Sequence, residues 1–402
     1  MKPGSTSAAF KNLLEFAFVL GLVAVVTPPA QAQTFSVIHA FTGGSDGGNP
    51  LAGFTIDPAG NLYGTTNAGG NSGTGTVFKI TTKGTKVVLY SFTGGVDGTY
   101  PEASLIMDAS GSLYGTTIAG GASGVGTVFK ITTKGNETVL HSFTGSADGA
   151  SPIAALTMDS VGNLYGTTSA GGSAGNGTVF RLAPPKTKGG KWTEKVLYSF
   201  GQGTDGATPI AGVTLDLKHN LYGTTSAGGS YGYGTVFQLK RSKSSWTENI
   251  LYSFQGGNDG SVPYAGVILD HSGNLYGGAT GGGTGAGGTI FELARSKGNW
   301  TLSVLYNIPG WTLSGPFRNL KMDASGNLYG TTHCDGSYSS GTVYKLTFSG
   351  GTWTYTSLYV FTGGSDGLYS FSNLVFDKQG NIYGTANQGG ANGFGVVFKI
   401  KP

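Results

Sequence analysis

The chain is poor in residues that do chemistry, and those it has are unevenly placed. Charged residues make up 11% of 402, with five histidines and a single cysteine. The one dense run is His333-Cys334-Asp335-Gly336. Three consecutive side chains cannot converge on one reacting atom, so the run is not a catalytic triad. A zinc ion needs three or four converging ligands, and only these three residues offer themselves. No catalytic residue, cofactor or metal is therefore expected. Binding chemistry is better served. Trp311, Arg318, Asn319, His333, Asp335 and Asn373 supply a flat face for stacking and polar groups that fix hydroxyls or a carboxylate. These six are the candidate ligand site.

A repeat sets where those residues stand. Leu/Ile-Tyr-Gly occurs seven times, with tyrosines at Tyr63, Tyr114, Tyr165, Tyr222, Tyr276, Tyr329 and Tyr383, 51 to 57 residues apart. A period of about 50 residues marks stacked units, none able to bury its apolar face alone. Each unit carries four short extended segments; in the first they are 51–57, 61–66, 75–81 and 86–92. They are rich in β-branched and aromatic residues and bounded by Gly, Asn or Asp, with no sustained helical period. The first two are joined by Asp-x-x-Gly-Asn or a close variant, with aspartates Asp57, Asp108, Asp159, Asp216, Asp270, Asp323 and Asp377. Such an Asp bonds the backbone ahead of it, and Gly accepts the positive φ of a tight hairpin.

The third segment reads Gly-Thr-Val-Phe and the fourth Val-Leu-Tyr-Ser-Phe, apolar on both faces, as a sheet between two neighbours requires. Four-stranded sheets packed radially make a β-propeller. The expected fold is all-β: a seven-bladed β-propeller with four antiparallel strands per blade, a to d from the axis outward. The last repeat stops after strand c, while Ser36 to Phe41 matches Val139 to Phe143. The N-terminal strand 35–41 is expected to pair into blade 7 and close the ring, leaving no open edge. The blades then span 51–92, 102–143, 153–200, 210–254, 264–308, 317–361, and 372–400 plus 35–41.

The run Gly-Asn-Leu-Tyr-Gly-Thr-Thr, then Ala-Gly-Gly, Gly-Thr-Val-Phe and Leu-Tyr-Ser-Phe-x-Gly-Gly-x-Asp-Gly, resembles the bacterial GloVer-type tandem repeat. The resemblance covers essentially all of 33–402. It implies an exported repeat protein, of a class that often carries a C-terminal surface anchor; none is visible after Ile400. It implies no activity and no catalytic residues.

Propeller connectivity puts the d–a and b–c loops on one face and the a–b and c–d turns on the other. The first face carries the Gly-rich loops, and binding residues concentrate on loops held by a rigid scaffold. Asp46, Asp97, Asp148, Asp205, Asp259 and Asp366 each stand in an Asp-Gly pair there. Calcium takes six to eight oxygens, and one carboxylate per loop fits a turn better than a metal. These loops join strand to strand without Gly-Lys-Ser/Thr, so they are not phosphate cradles. The opposite face collects Lys186, Lys188, Lys191, Lys240, Arg241, Lys243, Arg295 and Lys297, with Trp192, Trp246, Trp300 and Trp353 opening strand d. Solvated hairpin tips with each Trp plugging a blade edge are expected, ahead of a polyanion surface.

Departures from the repeat are the informative positions. Strand a opens Pro-x-Ala in five blades, but Pro316-Phe317-Arg318-Asn319 in blade 6 and Ser370-Phe371-Ser372-Asn373 in blade 7. The loop into blade 6 lacks Asp-Gly and carries Trp311; the next loop of that blade holds His333, Cys334 and Asp335. Glu102 is a further charge at the level of the channel mouth. With Asn373 it imitates part of the acid-and-amide ligand set of propeller lactonases, with too few members. His39 and His141 replace the strand d Tyr, and His219 and His271 sit in a–b turns; structural roles are expected for all four.

Lys2 and Lys11, the apolar run Phe16 to Val26 and Ala30-Gln31-Ala32 read as a signal peptide over 1–32. The eleven-residue run is too short to span a bilayer, which takes about 20 residues. A secreted or periplasmic bacterial protein is expected, and a lone cysteine forbids an internal disulfide. A net charge of +4 is too small to argue for nucleic acid. The expected function is a binding or interaction module for extracellular carbohydrate or a cell-surface protein. No nucleic-acid partner, no membrane insertion after leader removal and a monomeric state are expected. A propeller hydrolase or lyase at the channel mouth of blades 6 and 7, and a structural envelope protein, are the alternatives.

Overall fold

The computed structural model describes residues 33–401 apart from 188, 202, 244 and 312. The expected leader, 1–32, lies outside the described residues. Seven four-stranded antiparallel sheets form a seven-bladed β-propeller. In blade 1 the strands are Thr55–Ile56, Leu62–Thr66, Thr76–Ile80 and Lys86–Ser91, neighbours in that order. Thr34–Ala40 pairs with Val396–Lys401 as the outer strand of blade 7, so the first described strand completes the last blade. The expected closure over 35–41 is thus met, one residue earlier at each end.

Strand a departs from expectation. Only two residues per blade join the ladder, against the seven read over 51–57. The inner part runs too near the axis, where it packs on its neighbour instead. A Cβ on Gly53 would sit 1.9 Å from the Asn373 carbonyl oxygen of blade 7, and one on Gly212 2.4 Å from that of Ala155 in blade 3.

The repeated Tyr and Asp explain each other. Asp57 Oδ1 accepts from the Asn61 amide at 2.8 Å, and its Oδ2 accepts from the Tyr63 hydroxyl at 3.1 Å. The same lock holds the hairpins of Asp108, Asp159, Asp216, Asp270, Asp323 and Asp377. The glycine after each Tyr makes room for the core: a Cβ on Gly64 would lie 2.9 Å from Phe54 and 3.0 Å from Phe78.

The core lies between blades. The last residue of one strand d segment meets strand c of the next blade edge-on, as in Phe41–Phe78, Phe92–Phe129, Phe143–Phe180, Phe200–Phe237, Phe254–Phe291 and Phe361–Phe398, at 5.1–5.4 Å. Such T-shaped pairs add about 0.5–1.5 kcal/mol each beyond burial. The seam of blades 5 and 6 departs, with Ile308 facing Tyr344 in one cluster. Trp192, Trp246 and Trp353 cap Tyr114, Tyr165 and Tyr276 of the preceding blade at 6.1–6.5 Å, the blade-edge role expected of them. Trp300 lies with the Arg295 guanidinium 5.8 Å from its ring.

Candidate functional site

The loop-rich face is tied together by backbone. Except at blade 6, each d–a loop bridges the b–c loop of the blade it enters, as Gly48 with Ala68, Thr99 with Ala119 and Ala150 with Ala170. Inside each d–a loop except the one into blade 6 the aspartate holds the turn. Asp97 accepts from the Thr93 amide at 2.7 Å, the Thr93 hydroxyl at 2.6 Å and the Tyr90 hydroxyl at 3.0 Å. Burial pushes the Asp97 carboxyl up, but these bonds outweigh it and hold the carboxyl below its usual range. His39 and His141 take the Tyr position, 3.2 Å from Asp46 and 3.3 Å from Asp148. The aspartates are therefore committed to their own loops.

On this fixed frame stand most of the exposed aromatic rings. Among the described residues Tyr100, Tyr231, Tyr233, Trp311, Tyr338, Phe348 and Phe394 are exposed, and only Phe348, on a c–d hairpin, lies on the opposite face. Phe394 and Tyr233 lie on glycine: a Cβ on Gly43 or Gly256 would come within 2.5 or 2.6 Å of their rings. Trp311 is 78% exposed in a turn closed by the Ser314 amide donating to its carbonyl at 2.9 Å.

At the axis the residue after each Pro-type start forms a ring, one from each blade: Leu51, Glu102, Ile153, Ile210, Tyr264, Phe317 and Phe371. It bounds a space of about 290 Å³. Phe317 touches Tyr264 at 5.2 Å, Phe371 at 5.0 Å and His333 at 5.2 Å. One residue deeper, five blades place buried alanines: Ala52, Ala103, Ala154, Ala211 and Ala265. Blade 6 places Arg318 there. A strand b threonine of the preceding blade bonds the carbonyl at this level, as Thr65 to Ala103 and Thr116 to Ala154. Blade 5 has Gly278 instead of that threonine, where a Cβ would meet Pro316 at 2.2 Å.

Arg318 reaches across the axis. Its Nη2 donates to the Leu51 carbonyl at 3.5 Å and the Glu102 carbonyl at 3.4 Å. Desolvation pulls its pKa down, and the Glu102 charge opposes this. Burial pushes the Glu102 carboxyl up, with Arg318 opposing. Glu102 Oε1 accepts from the Asn67 amide at 2.8 Å. Below lies a cavity of about 120 Å³, lined among others by Ser104, Arg318, Asn319 and Asn373. Asn373 Oδ1 is buried without a partner.

The six candidate residues divide. Arg318, Asn319 and Asn373 meet at the cavity, although Asn319 Oδ1 is engaged by the Gly266 amide at 2.7 Å. His333 belongs to the rim, 4.5 Å from Tyr369 and 4.6 Å from Phe371 between ring centres. Trp311 is an exposed loop residue outside both axial linings. Asp335 turns inward, accepting from the Thr332 hydroxyl. Elsewhere its place is glycine, packed on the Asp-Gly segment of the d–a loop: a Cβ on Gly69 would lie 2.6 Å from Gly47. The loop into blade 6 lacks that segment, so a side chain fits.

His333 Nδ1 lies 2.8 Å from Cys334 Sγ. Burial pushes the thiol up and the imidazole down, which disfavours a thiolate nucleophile. Among the described residues no three His, Cys, Asp or Glu side chains are placed to share a metal. The ring at the axis went unread in the sequence. Its signal is the residue after the strand a Pro, or after Ser370 in blade 7: apolar in six blades and Glu102 in one.

Seven interlocked blades under one loop-bearing face define a tandem-repeat β-propeller with a narrow axial space. The chain belongs to the Gloeobacter/Verrucomicrobia repeat family, whose model matches residues 17–237 and 214–402. No curated protein matches it. Among solved structures it is similar to the extracellular domain of a one-component system from B. thetaiotaomicron. That match has 10% identity and TM-score 0.58 over 91% of this chain and 40% of the other. It is also similar to a protein from Bacteroides uniformis described as a candidate 6-phosphogluconolactonase, at 14% identity and TM-score 0.52 over 81% and 88%. At such identities the likeness is one of fold.

Proposed function

We propose that this propeller is a saccharide-binding module acting outside the cytoplasm, with the loop-rich face as its contact surface. The observation that carries the reading is the crowding onto that face of six of the seven aromatic side chains exposed among the described residues. Aromatic rings stack on the apolar faces of sugars, and hydroxyl- and amide-bearing loops around them bond sugar hydroxyls. Two of the rings rest on glycine backbones, so little freedom is lost when a ligand covers them. The leader-like start of the sequence supports export. A hydrolytic reading has less support, because Glu102 is the single carboxylate lining either axial space.

A glycan array probed with the protein and with the Tyr231→Ala/Trp311→Ala variant tests this. The protein should bind a subset of glycans, and the variant should lose affinity at least about tenfold, or about 1.4 kcal/mol. Equal binding by the two proteins would move the contact surface elsewhere.

A further inference from the structure

Arg318 is poorly served by the protein around it. A guanidinium has five N–H donors. Here only Nη2 finds protein acceptors, both carbonyls, at 3.4 and 3.5 Å, the outer limit of a hydrogen bond. Among the described residues the ion pairs are His39–Asp46, Lys130–Asp108 and His141–Asp148, so Arg318 has no carboxylate within 4.0 Å. A half-buried cation whose remaining donors open onto a narrow space calls for oxygen acceptors there. That space is the 120 Å³ cavity, which also holds the partnerless Asn373 Oδ1 and the Ser104 hydroxyl.

Shape adds to charge. The inner cavity and the outer ring share Ile153, Ile210, Tyr264 and Arg318, so they adjoin at the guanidinium. The inner volume is about four waters' worth at about 30 Å³ each. The outer space is wider and walled by Tyr264, Phe317 and Phe371. A ligand suited to both has a small anionic end and a flat, partly apolar body.

We infer that the axial site takes a carboxylate, the acid group of a ring-bearing organic acid such as a uronic acid, paired with Arg318 below and covered by Tyr264, Phe317 and Phe371. The planar guanidinium matches a carboxylate through parallel N–H donors. Glu102 sits in the ring above and competes for the same charge, so its ionised form weakens the site. The inference goes beyond the saccharide surface and does not depend on the rim aromatics.

Calorimetric titration of the full chain with D-glucuronate, D-glucose and acetate decides it. Glucuronate should bind saturably, and glucose at least tenfold more weakly. Arg318→Gln should lose glucuronate at least tenfold, whereas Glu102→Gln should tighten it and leave glucose unchanged. Phe348→Ala, on the opposite face, should leave glucuronate binding as it is. Equal affinity for glucose and glucuronate, unchanged binding in Arg318→Gln, or no saturable glucuronate signal would overturn the inference and leave ordered water as the partner of Arg318. Should Arg318→Gln fail to fold, Glu102→Gln with unaltered glucuronate affinity would overturn it equally.

Discussion

Replacing Glu248 by Gln should stabilise the propeller at alkaline pH and leave it unchanged in mild acid. Glu248 lies on the outer strand of blade 4, Trp246–Ser253, facing Asp205 of the loop that enters the blade. Its Oε1 is buried without a partner. Burial, and then the Asp205 carboxylate, push its pKa from 4.5 to about 8. Glu137 beside Asp97 and Glu194 beside Asp148 repeat the arrangement, each raised to about 7. In the seam of blades 7 and 1 the same row holds Lys86, which bonds the Asp46 carbonyl.

An acid raised in this way keeps its proton in the fold after the unfolded chain has lost it. Its contribution is full below about 4.5 and is lost as pH climbs to about 8. At about 1.4 kcal/mol per pH unit the ceiling for Glu248 is about 5 kcal/mol. The side chain is only half-buried, and solvent screening lowers the working figure to about 1.5 kcal/mol. Gln keeps the shape and the donor toward Asp205 without the titration. Urea denaturation at pH 5 and pH 8.5 is the assay. The variant should match the parent at pH 5 and exceed it by about 1.5 kcal/mol at pH 8.5. Equal effects at both values, or a loss at pH 8.5, would refute the seam electrostatics.

Three further outcomes follow from the packing. Tyr165→Phe removes the hydroxyl that bonds Asp159 at 3.1 Å and should cost about 1–2 kcal/mol in denaturant titration, since the Asp keeps its Asn163 bonds. Gly53→Ala forces a methyl onto the Asn373 carbonyl and should cost about 1–3 kcal/mol in the same assay. Deleting residues 33–42 strips the outer strand from Val396–Lys401 and removes fully buried Phe41, so the thermal midpoint should fall steeply; unchanged melting would contradict ring closure.

The fold was legible because the repeat is sequence-periodic: Tyr-Gly marks strand b seven times, Asp-x-x-Gly marks the hairpin in six blades and Thr-Val-Phe marks strand c in four, with close variants in the rest. The ring closure was legible from the match of Ser36–Phe41 to strand d. The length of strand a was not, because its inner half obeys contacts with the neighbouring blade, such as Gly53 on Asn373, that no local pattern records. The site was legible as a sector but not as a geometry. Arg318 and Asn373 meet because both occupy inner positions of strand a. Asp335 stands where the other blades have glycine and fills space left by a missing Asp-Gly segment, a relation the local sequence does not record. Glu102 stood four blades away in sequence and faces Arg318 across the axis, a relation that only the closed ring creates.

Trp311 allows the saccharide-binding surface to be tested by fluorescence. It is the exposed tryptophan, 78% open, while Trp192, Trp246, Trp300 and Trp353 are partly buried in blade seams. Titration with an array-positive glycan should shift the emission of the protein saturably to the blue, and Trp311→Phe should abolish the shift. A glycan that binds with no change in emission, or a shift that persists in Trp311→Phe, would contradict the assignment of the loop-rich face.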